Sequence, residues 1–385
     1  MRLPRARGPL SRYLLTVLTG PVRRGSGLEE AAAAAVGASD SVLSDEDVQL
    51  GLLLLQELGS DGLDGVDDHW ERSPDMVSAR AVLEDAVEAE LRAAVALSVR
   101  RALPDARRDV ARTLFALTEG SEGPSLAGYV QRRASREQLH EFLIHRSVYH
   151  LREADPLEVA AGLHAVVAAD DGPSLSGYLR GRATHEQFRE FVMHRAVYHL
   201  READPHTWAI PRLAGAAKAA LIEIQIDEYG GGVTAKMHQE LFKRTMSWFD
   251  LDLTYGAYVD SAGAATLATN NLMSWFGLHR RNRGALLGHL AAYEMTSSLP
   301  NRGYGNGLRR LGGDTDATAF YDEHVEADAV HEQIAAHDLC GAFARAEPEL
   351  AGDVLYGARC ALALDARWAG GLLTAWDEGR SSLRT

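Results

Sequence analysis

The stretch FYDEHVEADAVHEQIAAHDL, residues 320–339, decides the reading of this chain, because His324, Asp328 and His331 stand in it at i, i+4 and i+7. With about 3.6 residues per turn, those three positions project from one face of an α-helix. A carboxylate flanked by two imidazoles along one face is half of a site for a first-row metal. A donor set of nitrogen and oxygen suits iron or manganese better than a sulfur-loving ion. Such a half-site needs partners from other helices.

Two earlier segments offer them. GHLAAYEMTSS, residues 288–298, places Glu294 in an otherwise apolar helical stretch, where a bare carboxylate is costly unless it is paired or bound to metal. AALIEIQIDEYGGGVTAKMHQELF, residues 219–242, does the same with Glu228 and His238. On an unbroken helix, positions ten apart differ by roughly 80°. Gly230, Gly231 and Gly232 lie between them, and a glycine run is where a helix kinks or unwinds, which would turn both side chains inward. Asp227, eleven before His238, would share its face on a straight helix and stays open as the alternative to Glu228.

Composition bounds what surrounds these residues. The chain has 385 residues and a net charge of -14. That argues against a nucleic-acid partner, since affinity for phosphate rests on clustered cations. Two cysteines are too few for a disulfide framework or a four-sulfur metal site, and they fit a reducing cytoplasm. No apolar run reaches membrane length. Residues 1–40 open with an arginine-rich stretch and read as a basic, disordered leader. Ser44 ahead of Glu46 and Asp47 reads as a helix N-cap, residues 59–70 as a Gly/Asp loop, and 78–103 as one long helix. Asp67, Asp68 and His69 in that loop either ligate a cation or form a solvated turn.

A duplication follows. SLAGYVQRRASREQLHEFLIHRSVYHLREADP, residues 125–156, recurs at 174–205 with an offset of 49, and the copies extend to 109–156 and 158–205. The chain thus divides into the leader, a helical region over 41–206 holding the repeat, and a helical core over 207–385 carrying the ligands. His145/His150 and His194/His199 are five apart, which rotates one ring by roughly 140° from the other, so neither doublet easily faces one metal. Glu190 and His194, at i and i+4, could orient ligands from behind.

The combination of IEIQIDEYGGG (222–232) with the following Met237-His238, LATNNLMSWFGLHRRNRGALLGHLAAYEMTSS (267–298) and HVEADAVH (324–331) closely resembles the iron-containing redox enzyme family, the haem-oxygenase-like diiron oxidases. The likeness runs from about residue 43 to the C-terminus. It implies an all-α, haem-oxygenase-like bundle of seven helices, here with an N-terminal helical extension. It also implies two iron ions held by Glu228, His238, Glu294, His324, Asp328 and His331, with O2 as co-substrate. Members resemble enzymes that oxygenate nitrogen, or cleave or decarboxylate small acids and amino acids. Two features depart from the pattern: a Glu-to-His spacing of ten rather than the seven of part of the family, and the duplicated unit.

The expectation is therefore a non-haem diiron oxidase or oxygenase acting on a small amino acid or carboxylic acid, with no catalytic side chains beyond the ligands. An external electron donor and a homodimer belong to the same reading, as does the absence of membrane partners. Asp227, Tyr229, Tyr293 and Tyr321, beside ligands in sequence, are candidates for tuning the centre. Trp275, Phe276 and His279 are candidates for lining the substrate pocket. Pro300 is expected to end a helix and open a Gly-rich cationic loop in which Arg302, Arg309 and Arg310 either meet an acidic substrate or serve as helix C-terminal caps and surface charge. The alternatives are a mononuclear iron oxidase on the same fold, a haem enzyme with one axial histidine, and a metal-free helical scaffold.

Overall fold

The computed structural model describes residues 1–101 and 159–384, apart from the side chains of residues 97–101, 328 and 329. The first copy of the repeat, with His145 and His150, lies outside the described residues. Among the described residues every regular element is a helix, and none is long and apolar enough to cross a membrane.

The N-terminal forty residues are folded, in contrast to the disordered leader expected from their arginines. Helix α1 (Pro9–Leu18) buries Leu10, Leu14, Val17 and Leu18, and α2 (Leu28–Ala38) buries Leu28 and Ala32. Spacings of three and four put those leucines on one stripe, and burial of each contributes on the order of 2 kcal/mol. Asp47 anchors the start of α1, its carboxylate accepting from the backbone N–H of Leu10 at 2.7 Å and of Ser11 at 2.8 Å. The arginines are carried by the polar surroundings; Arg7 pairs with Glu46 at 2.6 Å.

Asp47 belongs to α3 (Glu46–Glu57), whose N-cap is Asp45 and not Ser44; Asp45 accepts from the N–H of Asp47 and Val48. The Gly/Asp loop follows as expected. Its Asp67 accepts from the backbone N–H of His69 and touches that ring as well, forming an exposed local turn. Helix α4 (Pro74–Arg101) starts four residues ahead of the expected Ser78.

After residue 158 the chain runs through α5 (Val159–Ala168), α6 (Leu175–Gly181), α7 (His185–His199), α8 (Asp204–Thr207), α9 (Gly215–Glu228) and α10 (His238–Trp248). Then come α11 (Ala264–Leu278), α12 (Arg283–Arg310), α13 (Thr315–Gln333), α14 (Ala342–Ala346) and α15 (Ala351–Asp377). A π-helical segment, Ile334–Gly341, joins α13 to α14.

Helix α12 is central, packed on α15, α13 and α6. A Cβ on Gly288 would lie 1.8 Å from the Val354 carbonyl oxygen, and one on Gly357 1.9 Å from that of Ala285. Reciprocal glycines thus let the α12 and α15 backbones touch, an approach any side chain would block.

Pro300 does not end a helix, and the Gly-rich segment after it is not a loop: α12 continues to Arg310. Proline removes one backbone donor, but the glycines that read as loop are a packing face. A Cβ on Gly307 would fall 2.5 Å from the Leu179 carbonyl oxygen, and one on Gly303 3.2 Å from the Ser176 side chain. Dense contact with α6 outweighs the glycines' poor helix propensity.

Buried apolar residues form two clusters. Leu221, Ile224 and Leu290 belong to one, and Phe242, Leu308 and Phe320 to the other. The helices on which the sequence places its ligands are drawn from both.

Candidate metal centre

Helix α9 ends at Glu228, and α10 begins at His238. Between them Gly230, Gly231 and Gly232 adopt φ of 60°, 61° and 81°, left-handed values that favour glycine. The chain folds back rather than kinking, and Glu228 Oε2 comes to 3.1 Å from His238 Nδ1. Both side chains are buried.

Two groups of three potential ligands result: Glu228 with Glu294 and His331, and Glu202 with His238 and His324. In each, the donor atoms lie within 4.8 Å of one another. Five of the six expected ligands are thereby brought together. Asp328 lies on α13 between His324 and His331, but its side chain is outside the described residues.

Glu228, rather than Asp227, faces the cluster. Asp227 is largely exposed, with Oδ2 3.0 Å from His331 Nε2, while His331 Nδ1 lies 3.3 Å from Glu294 Oε2. An imidazole with one nitrogen toward the cluster and the other on a carboxylate is fixed in orientation. His324 is held similarly: Nδ1 contacts the Phe320 carbonyl at 2.8 Å, and Nε2 lies 3.6 Å from Glu202 Oε1.

Glu202 was not legible as a ligand. It follows α7 in the second repeat copy, hydrogen-bonded to His199, whose ring packs between Phe242 and Phe320. The overlooked signal was the His199-to-Glu202 spacing of three in Tyr-His-Leu-Arg-Glu.

The electrostatics fit cation binding. Burial raises a carboxyl pKa, yet His199 and His324 hold Glu202 well below the usual carboxylate range, and His238 holds Glu228 below it too. Burial lowers an imidazole, but Glu228 raises His238, and Glu294 with Asp227 brings His331 up to about 9. The partners are mutually charged and still incompletely satisfied. Nε2 of buried His238 makes no hydrogen bond, and Glu228 Oε2 and Glu202 Oε1 are met only by the ion-pair approaches of His238 and His324 at 3.1 and 3.6 Å. Uncompensated buried carboxylates cost several kcal/mol each, and a divalent cation among these atoms would relieve that cost. The donors are nitrogen and oxygen, so the residues present fit iron.

The other expected site residues are placed differently. Glu190 accepts from Trp376 Nε1 at 2.8 Å and from the Ser382 N–H at 2.8 Å and hydroxyl at 2.7 Å; His194 contacts Thr266 and Ser382. Both tie down the C-terminal segment instead of orienting ligands, because their helix face turns from the metal cluster toward α15. Tyr229 donates to Asp204 at 2.6 Å and lines a separate cavity of about 490 Å³. Tyr321 is buried among Phe188, Tyr304 and Phe320.

A cavity of about 350 Å³ opens from the cluster, lined by Glu202, Glu228, Glu294 and His324 at one end and by Tyr293 along its wall. Trp275, Phe276, His279 and Arg302 do not line it. Trp275 and Phe276 are packed in the core, His279 lies 2.7 Å from Glu84, and Arg302 is exposed. Arg309 pairs with Asp322, and Arg310 caps the carbonyls that end α6. The continuation of α12 past Pro300 turns these arginines away from the cavity.

Residues 189–366 match the sequence pattern described as iron-containing redox enzyme, a narrower span than the one from about residue 43 onward. Over 123 residues the chain is 31% identical to nitrosourea synthase of Streptomyces achromogenes subsp. streptozoticus, covering 31% of this chain and 26% of that protein. The similarity thus spans about a quarter of the relative's length. Residues 189–366, which carry all of the residues of both triads, thus resemble the iron-containing redox enzyme family, and the all-α architecture of the described residues is consistent with a haem-oxygenase-like fold.

Proposed function

We propose that this protein is an iron-dependent oxidoreductase that holds two ferrous ions and uses O2 to oxidise a small organic substrate with amino-acid or carboxylic-acid character. The carrying observation is the pair of adjoining triads, Glu202/His238/His324 and Glu228/Glu294/His331, four of whose six residues line one cavity. Glu228 reaches toward His238 of the other triad, so one carboxylate could serve both ions. Asp328, on the same helix as His324 and His331, is proposed as a further ligand.

When bound, the iron pair would supply the electrons and Lewis acidity for oxygen chemistry. The protein's own side chains have plainer tasks. Asp227 and the Phe320 carbonyl hold the His331 and His324 rings in one orientation. His199 keeps Glu202 ionised and aimed at the cluster. Tyr198, Tyr293 and Leu290 form part of the cavity wall.

Anaerobic loading with ferrous iron, metal analysis and then exposure to oxygen test this reading. Two irons per chain and oxygen uptake with a transient visible absorbance are expected. One iron per chain would favour a mononuclear oxidase. No stoichiometric iron would leave a helical scaffold.

A further inference from the structure

Beside the acids that line the metal end of the cavity, Glu202, Glu228 and Glu294, stands one amide, Gln225 of α9. Gln225 is 4% exposed, and its Nε2 has no hydrogen-bond partner, not even Glu228 three residues on. Its Oε1 is occupied, because Thr207 Oγ1, at the end of α8, lies 2.6 Å away. That length is ordinary for O–H···O and short for N–H···O, so the hydroxyl donates to the amide oxygen. The amide then presents its NH2 to the cavity it lines. Its orientation has support of its own. Tyr229 Oη donates to Asp204 at 2.6 Å and lies 3.2 Å from Thr207 Oγ1, so its proton is committed to the carboxylate. The threonine proton goes to the nearer of its acceptors, Gln225 Oε1, rather than to the Ala203 carbonyl at 3.1 Å. A chain from Asp204 through Tyr229 and Thr207 thus fixes which end of the amide meets a ligand.

A buried N–H without an acceptor is costly and marks a place where the lone pair of a ligand completes the bonding. The buried hydroxyl of Tyr293, on the same cavity wall, has no partner either, and a phenol O–H donates to the same kind of atom. His206, which also lines the cavity, has no N–H left to offer. Its Nδ1 faces the Glu202 carbonyl at 3.1 Å and so carries the proton, and its Nε2 accepts from His289 Nδ1 at 3.1 Å.

We propose that Gln225 is a specificity-determining residue that donates from Nε2 to an oxygen of the substrate, a carboxylate or amide oxygen, at the metal end of the cavity, with Thr207 as the positioning residue that aims the amide. The assignment deepens the oxidase reading and rests on it for taking the ligand as substrate. The triad carboxylates repel an anion until divalent cations compensate them, so a carboxylate binds only after the metals. An uncharged amide needs no such compensation.

Calorimetric titration of the full chain with pentanamide, pentanoate and n-pentylammonium tests it, metal-free and saturated with Mn2+. Pentanamide should bind in both arms and pentanoate only with Mn2+. In Gln225→Leu both should weaken by about tenfold, as loss of one hydrogen bond in a buried site allows, with n-pentylammonium unchanged. Gln225→Glu puts an acceptor where the donor was and should reverse the preference, weakening pentanoate and tightening n-pentylammonium. Thr207→Val frees the amide to turn and should move those two probes in opposite directions, which a general loss of packing would not do. Pentanamide affinity within about twofold of the unaltered chain in both Gln225 variants, or no saturable binding of either oxygen acceptor, overturns the assignment. So does a fall in bound Mn2+ in Gln225→Leu with the probe preference intact, which would make the amide a support for Glu228. Should Gln225→Leu fail to fold, Gln225→Glu still decides. Gln225-dependent binding of pentanamide in a chain that takes up no iron would sink the oxidase reading and leave this donor assignment standing.

Discussion

Glu228 Oε2 lies 3.1 Å from His238 Nδ1 although the two residues end and begin successive helices, and the three glycines between them make that approach. A Cβ on Gly230 would fall 2.5 Å from the Lys236 carbonyl carbon and 2.6 Å from the Met237 nitrogen, against backbone that cannot rotate away. Gly231 has a similar φ of 61° with nothing within 4 Å.

The two glycines therefore separate strain from displacement. Gly231→Ala should cost only the left-handed backbone penalty of about 1–2 kcal/mol, with metal content intact. Gly230→Ala should cost more, shift His238 and lower bound iron. Thermal unfolding and metal analysis of the two variants check this; equal iron in both would refute the role given to the turn.

Glu202 and Glu294 belong to different triads. Glu202→Gln and Glu294→Gln should each reduce bound iron by about one ion per chain, and the double variant should bind little. Iron-to-protein ratios after anaerobic loading give the answer. Full occupancy in Glu202→Gln would remove that residue from the ligand set.

Protonation should limit stability from both sides in the metal-free protein. Burial depresses His194 and His206 to about 4 and lowers His289 as well. Between about pH 6.5 and pH 4 the unfolded chain takes up protons that the folded chain refuses, so stability falls as pH falls through that window. His194 alone is worth about 2 kcal/mol at pH 4.5. His331, brought up to about 9 by Glu294 and Asp227 against its burial, contributes stability that is full below about pH 6.5 and is lost as pH rises toward 9. Denaturant melts across pH 4–9 should show a maximum near pH 6.5. A ligating imidazole must be neutral, so Mn2+ affinity should rise with pH up to about 9.

Glu190 collects three donors from the C-terminal segment. Glu190→Gln should destabilise the fold by about 1–3 kcal/mol, as expected when bonds to a buried charge are lost. Bound iron and the pH dependence of Mn2+ affinity should be unchanged. A fall in iron content at full folding would return Glu190 to the metal centre.

Much of the helical nature of the chain and five of the residues in the two triads were written in local spacing. His324 and His331 share a helix face whatever surrounds them, and Glu294 stands out because a lone carboxylate in an apolar stretch needs a partner. The glycine run between Glu228 and His238 announced a break in the helix through its own conformational freedom. Tertiary packing decided the rest. Asp227 and Glu228 are adjacent and chemically alike, and only the direction in which α9 meets α13 gives one to the cluster and the other to the far side of His331. Glu202 is distinguished from other acids only by the rings of His199, His238 and His324 brought around it from distant stretches of chain. The glycines after Pro300 resemble a loop until α6 lies against them, and the arginines beside them resemble a substrate clamp until the helix turns them outward. Periodicity states which residues lie on one face, a property of the backbone alone. What that face meets depends on long-range packing, which no local window contains.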